Sequence, residues 1–259
     1  TYSMIANTTG YNNVAVGHYA LQANTTAINN TAVGWRSLFS NTTGDHNTSV
    51  GKQAMNANTT GTQNTAVGTG ALIANTTGAY NVAVGYLALD ANTTANDNAA
   101  VGHNALGTNT TGASNAALGF GSLTVNTTGG SNTAVGRNAL GANTTASNNV
   151  GLGYNAGGSI TTGGNNVFIG KDSGVQTTAL TTGSNNAVVG HASYTTAADS
   201  QYANGLGYNL ACAASYTTVG DRGNDIRAAN GTATWATVSD ERVKKDIEDS
   251  TVGLSFIND

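Results

Sequence analysis

Asn64-Thr65-Ala66-Val67-Gly68-Thr69-Gly70-Ala71-Leu72-Ile73-Ala74-Asn75-Thr76-Thr77-Gly78-Ala79-Tyr80 is followed at once by Asn81-Val82-Ala83-Val84-Gly85, the same phrase begun again 17 residues later. Anchored on the Gly that closes each such triplet, the period runs through Gly17, Gly34, Gly51, Gly68, Gly85, Gly102, Gly119, Gly136, Gly153 and Gly170 without a slip. It then loosens to Gly190, Gly207 and Gly220, at intervals of 20, 17 and 13. A fixed period over this length is the mark of a repeat architecture.

The columns within the repeat describe the unit. One residue before the anchor stands a large aliphatic, from Val16 and Val33 to Leu152 and Ile169. Two before it the side chain is usually tiny, as in Ala15, Ala32, Ser49, Ala66, Ala83 and Ala100. Four before it is always Asn, from Asn13 and Asn30 to Asn166. Four after it comes a second large apolar residue, from Leu21, Leu38 and Met55 to Leu140, and then Asn-Thr-Thr. Helices do not tolerate Gly, Asn and Thr-Thr in every unit. A short "Thr-Ala-Val-Gly" strand and a shorter "Ala-Leu" strand joined by Asn/Gly turns fit instead. The expected fold is therefore all-β, a parallel β-solenoid or β-roll of 17-residue repeats rising about 4.8 Å per coil. Each coil should give one Val and one Leu to a thin core, with identical Asn side chains laddering from coil to coil. The Ala/Ser column, on the opposite side of the strand from Val, is then an outward apolar strip for contact between copies. An intertwined or side-by-side homotrimer is expected.

Composition narrows the function. Charged residues are 8% of the chain, and nine Lys and Arg against 13 Asp and Glu give a net charge of −4. No basic stripe for nucleic acid is present. No apolar run approaches the roughly 18 residues of a membrane span, so membrane insertion is not expected. The single Cys212 reads as a small buried hydrophobe rather than half of a disulfide. Pro is absent, and Gly fills 35 positions. The first residue is Thr1, and the chain is expected to be a processed piece or a segment of a longer one.

The composition changes after Trp235. Residues 239–259 carry Asp240, Glu241, Asp246, Glu248, Asp249 and Asp259 with Arg242, Lys244 and Lys245, and no Glu precedes Glu241. The chain thus divides into a repeat body (1–213), a transition or neck (214–238) and a distinct C-terminal segment (239–259). That segment is expected to contain a short helix from Asp240 to about Asp249, with Ser239 as its N-cap.

The "Asn-x-Ala-Val-Gly-x-x-Ala-Leu" unit resembles repeats of bacteriophage tail fibres, and is similar to the β-roll heads of trimeric autotransporter adhesins. Ser239-Asp240-Glu241-Arg242-Val243-Lys244-Lys245-Asp246-Ile247 resembles the opening of the intramolecular chaperone domain that ends many phage tail fibres and tailspikes. The resemblance implies a trimeric, host-adhesive virion fibre, extracellular, whose chaperone assists trimerisation. It further implies autocleavage between Ser239 and Asp240, with Ser239 and Lys244 as the catalytic dyad. A Ser hydroxyl needs a base to become a nucleophile, and Lys serves only if burial lowers its pKa. The segment from Asp240 to Asp259 is too short for a whole chaperone, so cleavage has not occurred or the chain is truncated. The implied partners are its own copies, a host cell-surface glycan or protein, and other tail and virion proteins.

The position after each anchor is rich in aromatic and basic side chains. Trp35, Tyr86, His103, Phe120, Arg137 and Tyr154 form the candidate receptor-binding column, since rings stack on sugars and donors hydrogen-bond them. The competing reading is that they shield turns or fill a seam between copies. His18, His103 and His191 share this column and read as hydrogen-bonded surface groups, so no metal or cofactor is expected. The Asn-Thr-Thr triplets read as turn formers, with an ice-binding Thr rank as a distant second reading. A bacterial surface adhesin head and a polysaccharide depolymerase compete with the fibre reading, and a depolymerase needs two suitably spaced carboxylates. Asp90 and Asp97 are the closest pair in the regular body, but they occupy different parts of the repeat. Asp221, Asp225, Arg222 and Arg227, where the period breaks, read as a neck or a clamp between copies. No enzyme activity beyond autoproteolysis is expected.

Overall fold

A computed structural model describes residues 2–175 and 181–231, together with the backbone of 236–237. The strands, in chain order, are β1 (Val14–Val16), β2 (Thr31–Val33), β3 (Thr48–Val50), β4 (Thr65–Val67), β5 (Val82–Val84), β6 (Ala99–Val101), β7 (Ala116–Leu118), β8 (Thr133–Val135), β9 (Val150–Leu152), β10 (Val167–Ile169), β11 (Ala187–Val189), β12 (Tyr194–Thr195), β13 (Asn204–Tyr208), β14 (Ala211–Cys212), β15 (Tyr216–Asp221), β16 (Ile226–Ala229) and β17 (Ala236–Thr237). β1 to β11, β13 and β15 stack in parallel, each coil adding one strand to a single sheet. The register is the sequence period itself: Ala66 lies beside Ala83, and Val67 beside Val84. The parallel ladder runs as far as β15, where an antiparallel hairpin to β16, then β17, ends the sheet. A second, two-stranded parallel sheet, β12 with β14, appears only near that end.

The expected parallel β-solenoid is therefore present, but its inside and outside are exchanged. Ala32, Ala66, Ala83, Ala100 and Ala134 are buried, whereas Val67 is 37%, Leu118 50% and Val16 57% exposed. The aliphatic column faces outward and the Ala column inward. Strand parity explains this, because Asn at four and Ala at two before the anchor must share a face. Burial of Asn47, Asn64 and Asn81 makes it the inner one. The expected Ala-Leu strand is likewise not extended in the regular coils. Leu87 and Leu89 take φ of 51° and 55°, left-handed values that turn the chain sharply. Backbone bonds still pass from coil to coil there, with the Leu72 N–H donating to the Ala88 carbonyl at 2.9 Å.

Leu21, Leu38, Met55, Leu72, Leu89, Leu106, Leu123 and Leu140 reach across to the Ala column and fill the narrow interior. The space holds one large and one small side chain per coil. A Cβ on Gly151, in the Ala column, would sit 2.9 Å from Leu140 Cγ. Where the Ala column carries Phe168, Gly157 and Gly174 occupy the Leu column. A Cβ on either would lie 2.5 Å from the Phe168 ring. Volume is conserved by exchanging sides, as close packing requires.

The rest of the interior is polar and, apart from Arg36 Nε, Asp90 Oδ1, Asn143 Oδ1 and Thr218 Oγ1, satisfied among the described residues, largely by the anticipated Asn ladders. The Asn47 N–H donates to Asn30 Oδ1 (2.9 Å), its Nδ2 to the Gly61 carbonyl (2.8 Å), and its Oδ1 accepts the Asn64 N–H (3.0 Å). A second ladder starts from the Asn-Thr-Thr triplets. Asn58 Nδ2 donates to Asn41 Oδ1 (2.8 Å) and to Gly61 three residues on (3.0 Å), so it forms a turn and a rung together. The first Thr of the triplet donates to the next coil, as Thr59 Oγ1 does to the Thr76 carbonyl at 3.0 Å, while the second Thr is exposed. Buried, fully bonded networks of this kind strengthen as the local dielectric falls. They supply the cohesion that two apolar side chains per coil do not.

Trp235, Ser239, Asp240, Lys244 and the segment expected to be helical from Asp240 to about Asp249 lie outside the described residues, and the structure contains one copy of the chain. Among the described residues there is no helix, and so none long and apolar enough to cross a membrane.

Candidate functional site: the outward face of the sheet

Each strand presents three outward positions: three before the anchor, one before it and one after it. The first accepts polar residues, as Thr31, Thr48 and Thr65 show beside Val14 and Val82. The middle one does not. From Val16 through Val33, Val50, Val67, Val84, Val101, Leu118, Val135, Leu152, Ile169, Val189 and Leu206 to Val219 it is aliphatic in every coil, and exposed or half-buried throughout. Strand propensity cannot demand this, because Thr serves as well in a strand on the same face two residues earlier. The repeats thus provide an internal comparison, in which one exposed column is held apolar while its neighbours vary.

The third column carries the candidate receptor residues. Trp35, Tyr86, His103, Phe120, Arg137 and Tyr154 all stand in it and all are exposed. Five of them form one continuous stack, the His103 ring lying 5.3 Å from Tyr86 and 5.0 Å from Phe120, at interplanar angles of 24° and 13°. The Arg137 guanidinium then bridges the Phe120 ring at 5.4 Å and the Tyr154 ring at 6.0 Å. Trp35 stands apart, beyond Thr69, with Lys52 Nζ 5.5 Å from its ring. Strand spacing matches the thickness of stacked rings, so each ring covers its neighbour's face. The column shows ring edges and cations outward, and its open ring faces are confined to the ends of the stack.

The remaining histidines of the column also lie against rings: His18 is tilted at 36° to Tyr19, 3.8 Å away, and His191 is stacked on Tyr208 at 5.4 Å. Among the described residues no three His, Cys, Asp or Glu come together as a metal site. Asp97 is exposed on one segment of the coil. Asp90 is half-buried on another, and burial holds its carboxyl above the ordinary range. Cys212 is a buried free thiol, as its reading from sequence required. Its pKa is pushed up to about 12 by burial and then by the charge of Asp225.

That Asp225 belongs to the charged group at the break in the period, whose cavity the sequence does not signal. Arg222, Asp225 and Arg227 line a cavity of about 270 Å³ with Tyr194, Thr196 and Asn209. Irregular intervals of 20, 17 and 13 residues bring them together, and no column marks them. No family model matches the chain, and no curated protein and no solved structure is detectably similar to it.

Proposed function

We propose that this chain is a rod segment of a trimeric, host-adhesive virion fibre, working by binding and rigid extension rather than catalysis. The supporting observation is the aliphatic column that stays apolar in every coil while facing outward. An exposed stripe of this length needs a cover. Twelve steps from β1 to β15, at about 4.8 Å each, make the face roughly 58 Å long. With the two flanking columns its area is roughly 800 Å², the amount each partner buries in a standard stable interface. A surface repeating at strand spacing finds the same pitch in a second copy of itself, and the aliphatic column and the column before it carry no charge for a charged partner to read.

The threefold order, the virion setting and the autocleavage between Ser239 and Asp240 rest on the resemblance of 239–247 to the chaperone signature. Sedimentation equilibrium tests the reading. The expected species is three times 25.8 kDa, elongated and stable to dilution, and a monomer at micromolar concentration would sink it. Intact mass of a longer chain continuing past Asp259 tests the processing. Wild type should be cut after Ser239 and Ser239→Ala should remain whole.

A further inference from the structure

Asp225 is 8% exposed, and among the described residues its carboxylate has neither a hydrogen bond nor an ion pair. Unlike the Thr218 hydroxyl, its oxygens are not sealed from water among the described residues, so they open into the cavity that Asp225 lines and are free to accept there. Its setting indicates what would pair it. The cavity it lines is walled by Arg222 and Arg227 on the hairpin from β15 to β16, and by Tyr194, Thr196 and Asn209 on the last coils. Arg227 is held by its guanidinium lying 5.6 Å from the Tyr216 ring, not by Asp225. Neither arginine reaches the carboxylate within ion-pair distance. Leu210 and Ala211 supply an apolar patch of wall.

We infer that this cavity binds one acidic pyranose, whose hydroxyls donate to Asp225 and whose carboxylate meets Arg222 and Arg227. A carboxylate only accepts and guanidinium only donates, so the ligand must carry donors at one end and an anion at the other. Two cations against one anion leave the site one positive charge in excess, matching a singly charged acid. A zwitterionic amino acid meets that charge pattern but leaves the Tyr194, Thr196 and Asn209 wall without partners. A pyranose engages it with its hydroxyls and lays C–H groups on Leu210 and Ala211. The volume is just under the roughly 300–1,000 Å³ of larger ligand sites, which suits a single ring. The wider groove of about 430 Å³ between Thr124 and Gly158 has no charged residue in its wall.

The site gives the adhesive part of the proposed function a place and a ligand class, and rests on that reading only for its biological use. Saturation-transfer NMR and calorimetry on the full chain, with D-glucuronate, D-glucose and glycine as probes, test it. Glucuronate should bind saturably in the millimolar range, glucose about tenfold more weakly, and glycine not at all. Arg222→Ala, at an exposed position, should remove the preference for glucuronate over glucose. Asp225→Asn should abolish binding of both sugars with Tm little changed, because the carboxylate it replaces has no hydrogen bond or ion pair among the described residues. No saturable glucuronate binding, glycine binding as tightly, or binding untouched by either substitution overturns the site. A monomer that binds glucuronate refutes the fibre reading and leaves the site standing. A trimer that does not bind it does the reverse.

Discussion

The coils between β2 and β8 and the end of the rod between β12 and β16 use similar residues, yet dispose of their polar groups differently. In the regular coils a buried Asn meets its own copy one coil away, so a single interaction is satisfied at every level. At the end of the rod the repetition stops, and the Asn ladders stop with it. The triplet Asn ladder shows the transition: Asn143 Nδ2 donates back to Asn126 Oδ1 at 2.8 Å. The next coil offers Ile160 where an Asn is due, and Asn143 Oδ1 is left buried without a partner. Thr218 Oγ1 is buried without a partner near the end, as Arg36 Nε and Asp90 Oδ1 are at non-repeating positions of the regular coils, and the Asp225 carboxylate, open to its cavity, has no partner among the described residues. A repeated column solves the burial of its polar group once and copies the answer; a residue outside the columns, in the regular coils or at the irregular end, has to be satisfied case by case.

The comparison breaks most visibly at an anchor. Gly85 holds φ near 139°, and a Cβ there would fall against the Gly102 carbonyl of the next coil. Gly85→Ala should cost at least about 3 kcal/mol, from left-handed strain and a displaced neighbour together. A guanidinium melt unchanged from wild type would show that the coil spacing is softer than described.

Next in size is the interior packing. Leu89→Ala removes the large partner of the Ala column and should cost about 2–5 kcal/mol. Val84→Ala on the outward column should leave the melting of a dissociated chain within about 1 kcal/mol of wild type, while weakening association. The reverse ranking would restore the aliphatic column to the core.

That ranking marks the limit of what is legible in the sequence. The 17-residue period announces parallel stacking and the ladders, because in-register identity needs no further information. The faces are misassigned when size is the guide, because Val is larger than Ala and is sent inside. The invariant Asn, on the same face as Ala, is the better guide, since a polar ladder is stable only where water is excluded. Phe168 opposite Gly157 and Gly174 carries the same message in one coil. The candidate receptor column is legible as a column, but the stacking of its rings on one another depends on strand spacing. Of the terminal cavity, Arg222, Asp225 and Arg227 are legible as a charged group where the period breaks, but Tyr194, Thr196 and Asn209, which complete its wall, are not.

A sharper test of the two regions compares one residue type. Asn75 bonds on both sides, to Asn58 Oδ1 at 2.7 Å and from Asn92 Nδ2 at 2.9 Å. Asn75→Ala should cost about 2–3 kcal/mol through the groups it strands. Asn143→Ala, with its oxygen already unpaired, should cost measurably less in the same denaturant titration.

The smallest effect belongs to Cys212. Its thiol ionises near 9.0 in the unfolded chain and at about 12 in the folded one, so the unfolded state releases its proton first. Stability from this group is complete below pH 9 and declines between pH 9 and about 12. Cys212→Ser should flatten that part of the stability profile.

The central claim is that the outward aliphatic column is covered by other copies of the chain, and alkylation tests it directly. Val67→Cys and Thr77→Cys place a thiol on two exposed positions of one chain, with buried Cys212 as the unreactive reference. In the assembled protein, Val67→Cys should react with maleimide at least about tenfold more slowly than Thr77→Cys, and the two rates should converge on dissociation. Equal rates in the native protein would show that the column faces solvent and contradict the account.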